Sequence, residues 1–215
     1  MRQLTLVIGD KNYSSWSLRP WLALKQAGLD FAEVCITLDT PTTHLEILRY
    51  SPSGKVPVLL HGSIRVWESL SICEYLAESF PADCWWPKDV KARTIARSIS
   101  AEMHAGFHCL RQYMPMNCRA RLPGKGMEPG VQADIERITA IWRDCRQNYG
   151  AGGDMLFGNF TIADAMFAPV VSRFVTYNVK LDAVAGAYAE AIWALPAMQE
   201  WVEAARAEPE MMVRL

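Results

Sequence analysis

Two adjacent serines stand where an apolar run gives way to a helical pattern. Ser14 and Ser15 follow the run 4–9 and precede the segment 17–27. The first turn of a helix has amide groups without partners inside the helix and lies at the positive end of the helix dipole, so hydroxyls placed there can help to bind an anion. The same residue types also occur in turns and caps that carry no chemistry. Taken alone, this stretch leaves both interpretations open.

A proline predicts where this helix begins. Pro20 has no N–H and fits the first turn of a helix. We therefore expect the helix to begin near Ser17 or Leu18, with Ser17 as the capping side chain. Ser14 and Ser15 would then lie in the turn just before the helix.

A second candidate site lies in the motif SPSGKVPVLL, residues 51–60. Val56 precedes Pro57 at the entrance to a predicted strand, and an X-Pro bond at such a place can be cis. A cis bond would turn the backbone of Val56 outward, where it could pair with the peptide groups of a ligand. The alternative is a proline that only initiates a strand.

The motif VWESLSICEYL, residues 66–76, combines an anion site with a carboxylate. Ser69 opens a predicted helix, so its hydroxyl and the free amides could bind a carboxylate, while Glu68 beside it could bind an ammonium. A carboxylate next to an ammonium is the head group of an α-amino acid. Ser69 alone could be a simple helix cap. The order of the three motifs within one small unit favours a binding site.

Two histidines are candidates for a metal site. His104 and His108 are one turn apart in a predicted long helix over 88–114, a spacing that can hold a metal ion. The sequence offers no third ligand for them. We therefore expect a histidine pair at the helix surface or in a cleft, and no metal.

The elements that must position these residues fall into two groups, with a change of pattern near residues 79–89. Upstream, apolar runs alternate with helical segments, which predicts strands over 4–9, 31–36, 56–60 and 64–67 and helices over 17–27, 42–50 and 69–79. Downstream there is no strand signal, and the pattern predicts helices over 88–114, 131–149, 162–177, 184–195 and 196–207. The sequence therefore predicts an α/β unit followed by an all-helical one.

Composition excludes several classes of protein. The 215 residues are 51% hydrophobic and carry 22 basic and 23 acidic side chains, so the formal charge is -1. A nearly neutral chain does not build the positive field that nucleic acids or anionic lipids require. The apolar runs fall short of the ~20 residues that span a bilayer, and the N-terminus does not resemble a signal peptide. We expect no nucleic-acid or membrane partner.

The six cysteines help to predict the cellular compartment of the protein. They stand at positions 35, 73, 84, 109, 118 and 145 and form no C-x-x-C motif. Most lie in helical patterns, where a thiol behaves as a small hydrophobe. We expect them to be reduced and mostly buried, which predicts a cytoplasmic protein.

Nearly the whole chain resembles the cytosolic glutathione S-transferases. SSWSLRPWLALKQAGL is similar to the zeta-type signature S-S-C-S-x-R-x-x-I-A-L, KVPVL to the family's cis-proline turn, and ESLSICEYL to its Glu/Gln-Ser γ-glutamyl site. FGNFTIADAMFAP, residues 157–169, is similar to the family's N-terminal capping box, in which Thr161 caps a helix and Asp164 bonds back to it. That last motif is a folding feature.

The resemblance implies a fold, a co-substrate and an assembly. It predicts a thioredoxin-like, glutathione-binding domain over 1–80, a helical-bundle domain over 88–215 that contributes the electrophile pocket, and a homodimer. The implied activity is attack of a glutathione thiolate on a small soft electrophile. Within it, a serine donates a hydrogen bond to the sulfur.

Specific residues follow from the resemblance. Ser14 and Ser15 become the hydroxyl pair near the sulfur; spacing does not choose between them, and we take Ser14 first. The implied glutathione contacts are Lys55, Val56, Glu68, Ser69 and Asn117. The implied electrophile pocket is formed by Trp16, His104, His108, Arg111 and Arg173.

Two departures from the family pattern affect the expected activity. Trp16 stands where the zeta signature has cysteine, which argues against a reductase that acts through a mixed disulfide. Zeta-type maleylacetoacetate isomerases have an arginine where this chain has Thr176, although Arg173 lies one turn earlier. We therefore expect a transferase, with a zeta-type isomerase or a non-catalytic binding module as alternatives.

Overall fold

The strands form as the sequence predicts. The computed structural model describes residues 3–81 and 85–209. Its N-terminal part contains four strands and three helices, which are β1 Leu4–Gly9, α1 Ser15–Gln26, β2 Phe31–Ile36, α2 Thr43–Leu48, β3 Val58–His61, β4 Ile64–Trp67 and α3 Ser69–Ser79. The order of strands and helices is the predicted one.

The four strands make one mixed sheet in the order β2-β1-β3-β4. Strand β1 runs parallel to β2 and antiparallel to β3, and β3 is antiparallel to β4. Side chains alternate across β1, so Leu6 and Ile8 enter the large core that includes α1 and α3, while Val7 packs with Ile47 of α2 on the other face. This is a thioredoxin-like sheet domain, as predicted.

The described residues after 85 form helices and no strand. The helices are α4 Val90–Ala105, α5 His108–Tyr113, α6 Val131–Tyr149, α7 Ile162–Tyr177, α8 Ala183–Trp193 and α9 Pro196–Ala207. Helix α7 is buried over nearly its whole length and packs against α1, α4 and α8. The predicted fold class is confirmed, while the division into 1–80 and 88–215 stays a prediction.

The predicted start of the first helix is wrong. Helix α1 begins at Ser15 with Ser14 as its N-cap residue, so Pro20 lies inside the helix. The hydroxyl of Ser17 does not cap the helix, because it accepts hydrogen bonds from the amide of Gly9 and the hydroxyl of Ser14. Proline is tolerated there at the cost of one helical hydrogen bond.

The predicted long helix over 88–114 is interrupted. Helix α4 ends at Ala105, Gly106 is extended, and Phe107 takes a left-handed conformation with φ 61° before α5 starts. Met103, Phe107 and Leu110 nevertheless all stay in the core. The spacing of apolar residues therefore predicted correctly which side chains are buried, but it did not predict the break between the two helices.

The capping box is formed as the sequence predicts. The Asp164 carboxylate accepts from the amide of Thr161 at 2.8 Å and from the amide of Leu156 at 3.1 Å. Asp164 therefore ties the loop before α7 to the first turn of that helix. Burial raises the pKa of Asp164 from 3.8 to about 6, against the effect of these hydrogen bonds.

Replacement of Asp164 by asparagine tests this pKa. A carboxyl whose pKa is higher in the folded state binds more protons than in the unfolded state between pH 4 and 6, so its contribution to stability falls as the pH rises through that range. We expect the free energy of unfolding of the wild type to fall relative to Asp164→Asn by on the order of 2 to 3 kcal/mol from pH 4 to 6. Urea unfolding at both pH values measures this; a constant difference would contradict it.

The remaining expectations concern cysteines and membranes. Cys73, Cys118 and Cys145 are buried, Cys109 is half-buried and Cys35 is exposed, and all five are free. Cys84 lies outside the described residues. None of the helices over 3–81 and 85–209 has the length and apolar character needed to cross a bilayer.

Candidate active site

Two cavities that share walls lie between the sheet domain and the helices. The main cavity has a volume of about 420 Å³ and is lined by Ser14 and Ser15. A smaller cavity of about 140 Å³ is lined by Glu68 and Ser69. Both cavities are also lined by the same three residues, which are Trp16, Lys55 and Val56. The three sequence motifs therefore meet at one site.

The two serine hydroxyls have different surroundings. Ser14 donates to the hydroxyl oxygen of Ser17 at 2.7 Å, which in turn accepts from the amide of Gly9. The hydroxyl of Ser15 makes no hydrogen bond to another residue of the described chain. Ser14 therefore helps to fix the start of α1, while Ser15 has a donor available at the cavity.

Helix α1 adds a backbone donor. The amides of Ser15 and Ser17 bond to the carbonyls of Tyr13 and Ser14, whereas the amide of Trp16 has no acceptor among the described residues. This free N–H lies at the positive end of α1, beside the hydroxyl of Ser15. Together they place two donors where the sequence predicts an anion site.

The smaller cavity has the features of a site for an amino-acid head group. The peptide bond between Val56 and Pro57 is cis. Ser69 is the first residue of α3, with Glu68 before it at φ 67°, a region that non-glycine residues seldom adopt. The Ser69 hydroxyl is buried and has no hydrogen-bond partner among residues 3–81 and 85–209. Since buried polar groups are nearly always paired, this hydroxyl is available to a ligand.

Two arginines pack on Trp16, and a third lines the same cavity. The guanidinium carbons of Arg19 and Arg111 lie 4.2 and 4.6 Å from the centre of the Trp16 ring. Arg173 is buried and lines the main cavity together with Arg111. The three side chains come from α1, α5 and α7, and we call them the arginine cluster.

The arginine cluster has donors without acceptors. Within the part of the chain that the structure describes, four buried donors have no hydrogen-bond partner: both terminal nitrogens of Arg19, Nη1 of Arg111 and Nε of Arg173. Burial lowers the pKa of Arg19 well below its usual value, that of Arg111 to about 10 and that of Arg173 to about 9. The charges of the neighbouring arginines lower the pKa of Arg19 and Arg173 further. Such a cluster is stabilised by an anion.

The charges on the cavity wall are all of one sign. Lys55, Arg111 and Arg173 line the main cavity, and none of the described residues that line it is an aspartate or glutamate. Arg19 adds a fourth positive charge behind the wall. The cavity therefore favours ligands with more than one negative group.

His104, predicted for the electrophile pocket, lies behind residues that line the cavities and does not line them itself. Its ring packs edge-on against Trp16 at 5.2 Å between centres, and its Nε2 lies 3.5 Å from the carboxylate of Glu68. Burial and the nearby charge of Arg19 lower the pKa of His104, against the effect of Glu68. His104 therefore contacts two residues of the site, Trp16 and Glu68, although it lines neither cavity.

Two residues predicted for the site lie elsewhere. His108 is exposed at the start of α5 and lines neither cavity, because the break at Gly106 separates it from His104. The side-chain oxygen of Asn117 accepts from the amide of Ala120 and does not line either cavity. No metal site involves the histidine pair among the described residues.

Sequence reasoning missed several residues of the site. Tyr13 and Met116 line the main cavity, and Arg19 completes the arginine cluster. One feature of the sequence could have identified Arg19. It is a charged residue flanked by apolar residues of α1, and these flanking residues are buried. Thr176 lines neither cavity, and its hydroxyl donates to the carbonyl of Asn117 at 2.8 Å. Arg173 is the residue of α7 that lines the main cavity.

Known proteins resemble this chain in sequence. The family model for the N-terminal domain of glutathione S-transferases matches residues 13–79. A probable maleylacetoacetate isomerase of Caenorhabditis elegans is 30% identical over 174 residues, which cover 78% of this chain and 77% of that protein. The maleylacetoacetate isomerase of Mus musculus is 35% identical over 173 residues, which cover 78% and 76%.

The fold has solved counterparts. A glutathione transferase homologue from Burkholderia, crystallised with bound glutathione, matches with a TM-score of 0.72 and 25% identity over 97% of this chain and 100% of that chain. Sequence and fold agree with the geometry of the two cavities. The chain belongs to the cytosolic glutathione S-transferase family, and it is a glutathione S-transferase with glutathione as its co-substrate.

Proposed function

We propose that the enzyme catalyses attack of the glutathione thiolate on a small electrophile that carries at least one carboxylate. The observation that carries this proposal is the arginine cluster, whose buried donors face no acidic residue in the main cavity. Unpaired buried charges are costly unless a ligand pairs with them. An anionic electrophile would supply that partner beside the sulfur.

Glutathione would occupy both cavities. Its γ-glutamyl carboxylate would bind the unpartnered hydroxyl of Ser69, and its ammonium would lie by Glu68. The backbone of Val56 would pair with the cysteinyl unit, and Lys55 would contact the glycyl carboxylate. The sulfur would then lie near Ser15 and the free amide of Trp16.

The serine site is sufficient to activate the thiol. An unperturbed thiol has a pKa near ~8.5, and lowering it by ~2 units needs ~2.7 kcal/mol of preference for the thiolate. A hydrogen bond to a charged group contributes roughly 1.5 to 3 kcal/mol and a helix N-terminus about 0.3 to 1 kcal/mol. Ser15 and the start of α1 meet this requirement without a general base.

A second candidate function is isomerisation, favoured by the position of Arg173 at the cavity and by relatives named maleylacetoacetate isomerase. The thiolate adds to one carbon of a conjugated double bond and the electron pair moves into the conjugated carbonyl. Rotation about the new single bond and expulsion of the thiolate restore the double bond in the other geometry. If the adduct instead gains a proton from water, a thioether forms.

We also propose a cytoplasmic homodimer. Large apolar side chains are exposed at Ile64 and Trp67 on the edge strand β4 and at Val90 at the start of α4, which supports an apolar interface. The five free cysteines support a reducing compartment. The oligomeric state can be measured by sedimentation.

Matched electrophiles test the proposed substrate class. Maleate and its dimethyl ester share one double bond and differ in charge. We expect the ratio of the catalysed to the uncatalysed rate to be about tenfold or more higher for maleate, because only the acid pairs with the arginine cluster. Product analysis by NMR separates thioether from fumarate. A higher ratio for the ester would contradict the proposal.

A further inference from the structure

The loop that precedes the two serines is hydrogen-bonded to residues of α9 and of the segment just after it. This loop, Asp10–Tyr13, connects β1 to α1. The carboxylate of Glu208, just after α9, accepts from the amide of Lys11 at 2.6 Å and from the amide of Asn12 at 3.1 Å. One carboxylate thus binds two successive amides of the loop, through charge-assisted hydrogen bonds.

Glu208 is itself held in place by Arg119. The guanidinium of Arg119 donates to the carbonyl of Glu208 and to the carbonyl of Ala205 at 2.7 Å. The amide of Arg119 also donates to the side chain of Asn12 at 3.0 Å. The indole of Trp201 on α9 donates to the carbonyl of Lys11 at 2.9 Å. We call Glu208, Arg119 and Trp201 the C-terminal latch.

The two serines are connected to this loop by hydrogen bonds and by the chain, so their positions depend on its position. The amide of Ser14 bonds to the carbonyl of Asp10 at 2.8 Å, and the side chain of Asp10 accepts from the amide of Leu38 at 2.8 Å. Ser15 and the free amide of Trp16 follow within the first turn of α1. A shift of the loop would therefore move the donors of the anion site.

We propose that Glu208 is a positioning residue for the thiolate site, acting through the amides of Lys11 and Asn12. This inference rests on the proposed role of Ser15 in thiol activation. The proposed sites for the two ends of glutathione, at Lys55 and Ser69, lie on other elements. Loss of the latch should therefore affect the ionisation of the sulfur more than the affinity for glutathione, because small misplacements of a donor lower the rate steeply.

Three variants test this role in the full-length enzyme. Glu208→Ala removes both acceptors, Glu208→Gln keeps one carbonyl oxygen, and Glu203→Gln, an exposed carboxylate on α9, is the control. We expect Glu208→Ala to raise the pKa of bound glutathione by about one unit and, through the smaller thiolate fraction, to lower kcat about threefold at neutral pH, with KM for glutathione unchanged. Glu208→Gln should be intermediate, and Glu203→Gln should behave as the wild type.

Two results would overturn the inference. One is a wild-type thiol pKa and kcat in Glu208→Ala. The other is a loss of kcat that disappears after correction for the folded fraction. If Glu208→Ala does not fold, the pKa shift in Glu208→Gln decides. Absence of glutathione binding by the wild type would instead refute the proposed function, so the two failures are distinguishable.

Discussion

Replacing Arg173 with methionine should lower kcat/KM for maleate on the order of 100-fold, because the variant loses a charge-assisted contact that is made in a desolvated pocket. The same variant should lose little activity with dimethyl maleate, which has no charge to pair. Methionine preserves the length and apolar stem of the side chain. Steady-state kinetics with both electrophiles at saturating glutathione measure the effect.

The stability of this variant separates a functional arginine from a structural one. Among the described residues the Arg173 side chain makes one hydrogen bond, to the carbonyl of Pro169. Burial lowers its pKa to about 9, so its charge is unfavourable in the folded state at neutral pH. We expect Arg173→Met to increase the free energy of unfolding by about 1 to 4 kcal/mol. The exposed Arg121→Met is the matched control. Lower stability together with unchanged selectivity for the acid would contradict the role of the cluster.

Replacing Ser15 with alanine should raise the pKa of bound glutathione by about one to two units, since a hydrogen bond to a thiolate contributes roughly 1.5 to 3 kcal/mol. At neutral pH the thiolate fraction, and with it kcat, should fall by a factor of about 3 to 25. At a pH above the raised pKa most of the activity should return. The pH profile of kcat measures both effects.

Ser14→Ala is the control for this experiment. Ser14 donates to Ser17, so its removal should lower the melting temperature while it shifts the thiol pKa less than Ser15→Ala does. Ser14→Ala/Ser15→Ala should leave the thiol near its unperturbed pKa. If Ser14→Ala alone abolishes thiolate formation and Ser15→Ala does not, the assignment of the donor is wrong and Ser14, our first candidate from the sequence, takes the role.

Local signals predicted most of the fold. The bounds of α6, α7 and α9 match the sequence pattern because each helix is delimited by a local feature, such as the capping box at Thr161 or Pro196 at the start of α9. The interruption after α4 was missed because Phe107 keeps its side chain in the core while its backbone becomes left-handed. The spacing of apolar residues predicts which side chains are buried, but it does not predict such a break in the helix.

The site was predictable in part. Three short motifs identified candidate residues from the sequence, which are Ser15, Val56 and Ser69. The structure brings these motifs together. The arginine cluster depends on how α1, α5 and α7 pack, so no local pattern identifies it. Arg111 and Arg173 were expected at the pocket from the family resemblance alone, and the unpaired state of their donors emerged only from the packing.

The central claim is that glutathione is held as a thiolate at the start of α1, next to the arginine cluster. Ultraviolet titration of glutathione bound to the wild-type enzyme measures this directly. The account predicts a thiol pKa about two units below the ~8.5 of an unperturbed thiol. A bound thiol that titrates at or above the value of free glutathione would contradict it.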